Sequence, residues 1–191
     1  MSELYTTALA EIEAIIERET EVDEIVRQTV DVLHDRVAHY SWVGIYFVEE
    51  GDLVLGPWRG PAATEHVRIP VGQGVCGAAA ASGRTEIVDD VNADPRYLAC
   101  FLSTRSEIVV PVRYDDIVVA EIDIDSDEPA AFGDADREFL EQVAELLSPH
   151  CLLGWDTGHR VSRAERRSSK EQDGSEAKVE WAQWQHGSSG V

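Results

Sequence analysis

Apolar residues recur at three- and four-residue spacing from Glu3 to about Ala38. Ile12, Ile15 and Ile16 form one stripe, and Val22, Ile25, Val26, Val30, Leu33 and Val37 a second. The spacing predicts two helices with a break between Thr20 and Asp23, and Thr20 is a candidate N-cap for the second. Such stripes suit a layer that faces a core or a second copy of the chain. The period then changes to two. Trp42–Val48 (WVGIYFV) predicts a strand, Glu49-Glu50-Gly51-Asp52 an acidic turn, and Leu53–Leu55 the start of a return strand, together a hairpin. Alternation puts Trp42, Gly44 and Tyr46 on one side of it. Gly56–Thr64 reads as a loop, and Val67, Arg68 and Ile69 as a short strand closed by Pro70.

Gly72–Gly77 leads into an Ala-rich run that predicts a short helix ending at Gly83. Thr85–Val88, Ile108–Val112 and Ile117–Ile124 read as strands, with Tyr114-Asp115-Asp116 turning between the last two. Asp89–Cys100 reads as a loop or broken helix. Asp134 is a candidate N-cap for a final helix whose buried stripe is Phe139, Leu140, Val143, Leu146 and Leu147. This order predicts an α+β fold: an antiparallel sheet with the N- and C-terminal helices packed together on one face. The domain is expected to span residues 1–155. After Trp155 the chain turns polar and rich in Ser, Gly and Glu, so 156–191 is expected to be a disordered tail.

Charge changes the picture of the surroundings. Asp and Glu number 37 against 16 Lys and Arg, a net charge of −21. Lys170 and Lys178, both in the tail, are the only lysines. Such a surface repels nucleic acid and anionic membranes, so neither is expected as a partner. The composition is similar to that of proteins from salt-loving archaea, where ionic strength screens the repulsion. The start, MSELYTTALAEIEAII, is acidic where a signal peptide is basic, and a cytoplasmic protein is expected. Three cysteines, Cys76, Cys100 and Cys151, do not make a secreted disulfide framework.

The remaining chemistry gathers between Arg68 and Ser126. Gly72-Gln73-Gly74-Val75-Cys76-Gly77 matches G-x-G-x-x-G in letters. It lacks the full preceding strand and long following helix of a dinucleotide site, so the glycines are read as allowing tight turns around Cys76. Cys76 and Cys100 both fall among turn residues. A redox pair and two small buried hydrophobes are both open readings, with Arg96 and Arg105 near Cys100 in sequence favouring a thiolate. Two widely spaced cysteines without a matching His pair do not signal zinc. Cys151, beside His150 at a helix end, reads as structural. Asp123 and Asp125 alternate with Ile122 and Ile124 and share one strand face with Glu121, while Glu107 opens an apolar strand. Crowded carboxylates can hold an ammonium group or keep one carboxyl protonated; a solvated acidic sheet face is the plainer alternative. Trp42 and Tyr46 suit either a core or a pocket for a methyl or thioether group.

Taken in order, W-V-G-I-Y at Trp42–Tyr46, R-I-P-V-G-Q-G-V-C-G at Arg68–Gly77, Y-L-A-C at Tyr97–Cys100, S-E-I-V-V-P at Ser106–Pro111 and D-I-D-S at Asp123–Ser126 resemble the free methionine-(R)-sulfoxide reductase family. These are enzymes built on a GAF domain. The resemblance implies that Cys100 is the catalytic cysteine and Cys76 a resolving one. It implies that Glu107, Asp123 and Asp125 bind and protonate the substrate, and that Trp42 and Tyr46 wall the pocket. It implies no metal or organic cofactor, a thioredoxin-like reductant that reopens an intramolecular disulfide, and a homodimer. Two departures stand out. Thr64-Glu65-His66 replaces the segment where many members carry a third cysteine, and Glu121 stands where family strands are apolar. The alternative is a non-catalytic GAF module that binds a small ligand or senses oxidants through its thiols.

Overall fold

The computed structural model describes residues 2–98 and 101–152. The tail expected from residue 156 onward and Cys100 therefore lie outside the described residues. Helix α1 (Glu3–Arg18) begins where the Ser2 hydroxyl accepts the Tyr5 amide, and α2 (Val22–Arg36) follows a short break. The residue capping α2 is Glu21, not Thr20, and its side chain makes no cap bond. Asp23 and Glu24 in the first turn complement the helix dipole there.

Strands β1 (Trp42–Glu49) and β2 (Asp52–Arg59) form the expected hairpin. Its two-residue turn has Glu50 at φ 50° and Gly51 at φ 91°, the handedness that matches strand twist. β2 runs further than the sequence suggested, through Gly56 and Pro57. The register shift between Gly44 and Tyr46 absorbs the proline, whose missing N–H is tolerated at an irregularity. Next come β3 (Arg68–Pro70), α3 (Gly74–Ser82), β4 (Glu86–Val88), β5 (Ser106–Tyr114), β6 (Ile117–Ser126) and α4 (Asp134–Cys151). Among the described residues the strands form one antiparallel sheet in the order β3-β2-β1-β6-β5-β4.

Strand alternation gives this sheet two different faces. Val43, Ile45, Phe47, Ile108, Val110, Val112, Ala120, Ile122 and Ile124 point toward α1, α2 and α4 and form the main core with them. The terminal helices thus share one face, as expected. Tyr5 stacks on Phe139 with ring centroids 4.6 Å apart, tying α1 to α4. Asp136 ties them again. It is the third residue of α4, and its carboxylate accepts Tyr5 Oη at 2.5 Å, Tyr40 Oη at 3.1 Å, His39 Nε2 at 2.9 Å and the Gly133 amide at 3.0 Å. The N-cap of α4 is accordingly Gly133 rather than Asp134, with Asp136 reaching back to its N–H. Cys151 is buried at the end of α4, and burial pushes its thiol up to about 12, an inert structural cysteine. The opposite face of the sheet carries α3 and a smaller cluster that includes Trp42, Tyr46, Cys76, Val88 and Val109.

Candidate active site

The second face is where β6 places its odd-numbered residues. Antiparallel pairing lines them up in rows across three strands. Trp42, Asp125 and Glu107 form one row with Val88; Gly44, Asp123 and Val109 a second; Tyr46, Glu121 and Pro111 a third. Partners in a row project from the same side of the sheet. Four carboxylates thereby meet on one face under α3. Their relative exposures are 4% for Glu107, 0% for Glu121, 2% for Asp123 and 3% for Asp125, which rules out a solvated acidic sheet face.

The loop before α3 delivers the thiol to this face. Gly72 and Gly74 have φ of 93° and 71°, conformations that L side chains resist. The Gly72 amide donates to Gly77 O at 2.8 Å, and a Cβ on Gly77 would stand 2.7 Å from Pro70 O. The G-x-G-x-x-G letters therefore build a tight turn into a helix, not a phosphate cradle. Cys76 was expected among turn residues. It lies instead in the first turn of α3 and is buried, because the helix begins at Gly74, ahead of the alanine run. Its thiol donates to Glu107 Oε1 at 3.5 Å.

Burial is the first cause of the electrostatics here. It pushes Glu107 well above the usual carboxylate range, and the Asp123 and Asp125 charges push it further; the Cys76 thiol pulls the other way. Glu121 and Asp125 are likewise raised well above normal, by burial first and the Asp123 charge second. Burial takes Asp123 to about 7, again opposed by the Cys76 hydrogen bond. Oε2 of Glu107, both oxygens of Glu121 and Oδ1 of Asp123 are buried without a hydrogen-bond partner. A buried acid with no donor to satisfy it is stable as the neutral carboxyl, or when a cation arrives. The site can therefore hold protons at neutral pH and can receive a positively charged group.

Aromatic rings close one side. The Trp42 indole lies so close over Gly44 and Gly60 that a Cβ on either would come within 2.3 Å of it. The indole stacks on Trp58 (centroids 6.2 Å) and meets Phe101 at a tilt (6.0 Å), and its Nε1 is buried with no acceptor. Tyr46 is fully buried and donates its hydroxyl to His66 O at 2.9 Å, holding the 64–67 segment rather than offering the hydroxyl to a ligand. Thr64 is buried and accepts the His66 amide at 3.1 Å. The Arg96 guanidinium is engaged with Asp94 and Glu86.

Of the residues singled out in the sequence, Cys76, Trp42, Tyr46, Glu107, Asp123 and Asp125 are brought together; Cys100 lies outside the described residues. Glu121, Trp58, Gly60 and Phe101 were not selected. The alternation Glu121-Ile122-Asp123 did place Glu121 on this face. Nothing local marks Trp58, Gly60 or Phe101, which reach Trp42 only through the fold.

A curled six-stranded antiparallel sheet with helices on both faces and a polar site beneath the short one defines a GAF domain, and residues 21–150 match the family model described as GAF domain. Among proteins with this fold, the free methionine-R-sulfoxide reductase of Escherichia coli is 34% identical over 146 residues, covering 76% of this chain and 87% of that one. A structure of the free methionine-R-sulfoxide reductase from Neisseria meningitidis in complex with its substrate superposes with a TM-score of 0.75 at 34% identity, covering 88% of this chain and 95% of that one. The type II free methionine-R-sulfoxide reductase of Thermoplasma acidophilum is 41% identical, with a TM-score of 0.65 and coverage of 69% and 95%. The chain belongs to the free methionine-R-sulfoxide reductase family.

Proposed function

We propose that the protein reduces free L-methionine-(R)-sulfoxide to methionine. The observation that supports this most is the set of buried acids (Glu107, Glu121, Asp123 and Asp125), the first three with unpartnered oxygens, on the same face as the Cys76 thiol. A free amino acid brings an ammonium group that such a site needs, whereas a residue inside a polypeptide has no amine to offer. The Trp42 ring walls the thioether side, and its Nε1–H is available to a substrate oxygen.

In this reading the Cys100 thiolate attacks the sulfoxide sulfur while a carboxyl of the Glu107, Asp123 and Asp125 set donates a proton to the sulfoxide oxygen. The hydroxyl passes from the substrate sulfur to the Cys100 sulfur as the S–O bond and the transient Cys100–substrate S–S bond break; methionine leaves, and Cys100 carries the oxygen as a sulfenic acid. The Cys76 sulfur then attacks Cys100, a sulfur–sulfur bond forms, and the oxygen departs as water. A dithiol protein of the thioredoxin kind reduces that disulfide, its own thiols becoming oxidised. No metal or organic cofactor enters these steps. We further propose a cytoplasmic setting at high ionic strength, a homodimer, and a tail from 156 to 191 outside the domain. Among the described residues no helix is long and apolar enough to cross a membrane.

The test is stereospecific. Purified protein with thioredoxin, its reductase and NADPH should consume the free R epimer and leave the S epimer and peptide-bound sulfoxide untouched. Cys100→Ser should abolish that consumption. Full activity in this variant, or consumption of neither free epimer by the wild type, would reject the assignment and leave a ligand-binding or oxidant-sensing module.

A further inference from the structure

The spacing of cysteines and histidines along the chain gives no metal-ligand pattern, yet the fold assembles one from three separate elements. Sγ of Cys76 from α3, a carboxylate oxygen of Glu107 from β5 and one of Asp123 from β6 all lie within 4.8 Å of one another. All three residues are buried. Around a tetrahedral ion with one sulfur and two oxygens, neighbouring ligand atoms stand about 3–4 Å apart, so small side-chain movements close the set. Oε2 of Glu107 and Oδ1 of Asp123 make no hydrogen bond, though their residues are only 4% and 2% exposed. Glu121 and Asp125 lie buried on the same face.

We propose that this trio binds a thiophilic divalent cation of the Zn2+ type, and that the bound ion blocks the site. Thiolate and imidazole donors select zinc-like ions, and carboxylates accept the same ions readily. Binding replaces the thiol proton and those the two carboxyls hold: the Cys76 S–H bond and the carboxyl O–H bonds break, sulfur–metal and oxygen–metal bonds form, and the protons go to solvent. No electron moves. The ion offsets two of the three negative charges that the deprotonated ligands then carry. Its consequence rests on the proposed reaction. A metal-held Cys76 sulfur cannot attack a sulfenate, and the ion fills the place of the substrate ammonium. Zn2+ is then a reversible inhibitor that also shields the thiol from oxidation.

The binding is read without any turnover. Co2+ is titrated into the full-length, reduced protein, with a non-thiol reductant. One Co2+ per chain is expected, with a sulfur-to-cobalt charge-transfer band in the near ultraviolet and the intense visible bands of a four-coordinate ion; Zn2+ should erase both. Cys76→Ser should remove the charge-transfer band, and Asp123→Asn should weaken Co2+ binding about tenfold or more. Cys151→Ser should leave the spectrum unchanged. A weakly absorbing six-coordinate spectrum only, or a charge-transfer band that survives Cys76→Ser, would overturn the proposal. Failure to reduce methionine sulfoxide would leave the cobalt spectrum as it is, so the two readings fail separately.

Discussion

The thiol of Cys76 donates to Oε1 of Glu107 across 3.5 Å, joining the first turn of α3 to the second residue of β5. A sulfur held this way has a proton acceptor beside it at the moment it must become a nucleophile. Glu107 can take that proton, because its neutral form is favoured by burial and by the neighbouring acids. The same pair thus serves both halves of the proposed cycle, with the carboxyl giving a proton to substrate oxygen and recovering one from the thiol.

That relay predicts a split between the two half-reactions. Cys76→Ser should permit a single turnover and then stall, because the Cys100 sulfenate loses its internal partner. A small thiol such as glutathione should restore slow cycling. Rapid-quench measurement of methionine released per chain checks this; sustained thioredoxin-coupled turnover in the variant would remove Cys76 from the mechanism.

The buried acids also set the pH dependence of stability. Asp123 has a folded-state value of about 7 against an ordinary value of 3.8. The folded protein binds more protons than the unfolded chain in that window. Stability from this group is complete below about pH 4 and is lost as pH rises toward 7, at up to about 1.4 kcal/mol per unit. Glu107, Glu121 and Asp125 are shifted the same way and add to the slope. Melting temperature should fall between about pH 4 and pH 7. Asp123→Asn should flatten that fall and stabilise the protein at neutral pH while lowering activity. Thermal melts of both proteins across pH decide it.

Asp136 predicts the opposite sign at lower pH. Burial alone would raise its pKa, but hydrogen bonds from His39, Tyr5, the Gly133 amide and Tyr40 outweigh that and hold it at about 2. Its contribution is present above about pH 4 and is lost as pH falls toward 2, about 2 kcal/mol in all. Asp136→Ala leaves several buried donors without an acceptor and should cost about 3 kcal/mol at neutral pH. Urea unfolding of this variant measures it, and a loss below about 1 kcal/mol would show that the α1–α4 junction does not depend on this carboxylate.

The net charge of −21 predicts a strong response to salt. Screening shortens from about 10 Å at 0.1 M to about 3 Å at 1 M, so repulsion among surface acids fades over that range. Melting temperature should rise steeply with NaCl at constant pH. A melting temperature indifferent to salt would make the acidic surface irrelevant to stability.

Much of the fold was legible because two periods dominate the chain. The stripes of Ile12, Ile15, Val26 and Leu33, and the alternation through Ile122 and Ile124, reflect burial on one side, a local consequence of helix and strand geometry. The acid face was legible for the same reason: residues two apart on β6 must share a side. Helix starts were less so. Thr20 and Asp134 have cap chemistry, but Glu21 and Gly133 hold the cap positions because packing of Val22 and Asp136 fixes where the helices begin. Cys76 looked like a turn residue because Gly74 and Gly77 disfavour helix, and only the fold shows why they stand there: Gly77 closes on Pro70, and Gly74 has a positive φ against Leu98. That the acids were buried could not be read locally, since it follows from α3 lying over them.

Trp42 supplies the last prediction. Its indole occupies space that exists only because residues 44 and 60 have no side chain. A methyl at position 60 would stand 2.3 Å from Cδ1 of the ring, nearer than van der Waals contact permits, so the ring must move. That displacement shifts Nε1 and opens the packing against Trp58 and Phe101. Because Gly60 sits at the edge of the site, the main core should be spared. Gly60→Ala should therefore raise KM for methionine sulfoxide about tenfold, near 1.4 kcal/mol of binding, with a smaller loss of stability. Steady-state kinetics together with tryptophan fluorescence of the free protein separate the two effects. Unchanged KM with an altered emission spectrum would show that the indole moves without the substrate noticing, and would remove Trp42 from the binding wall.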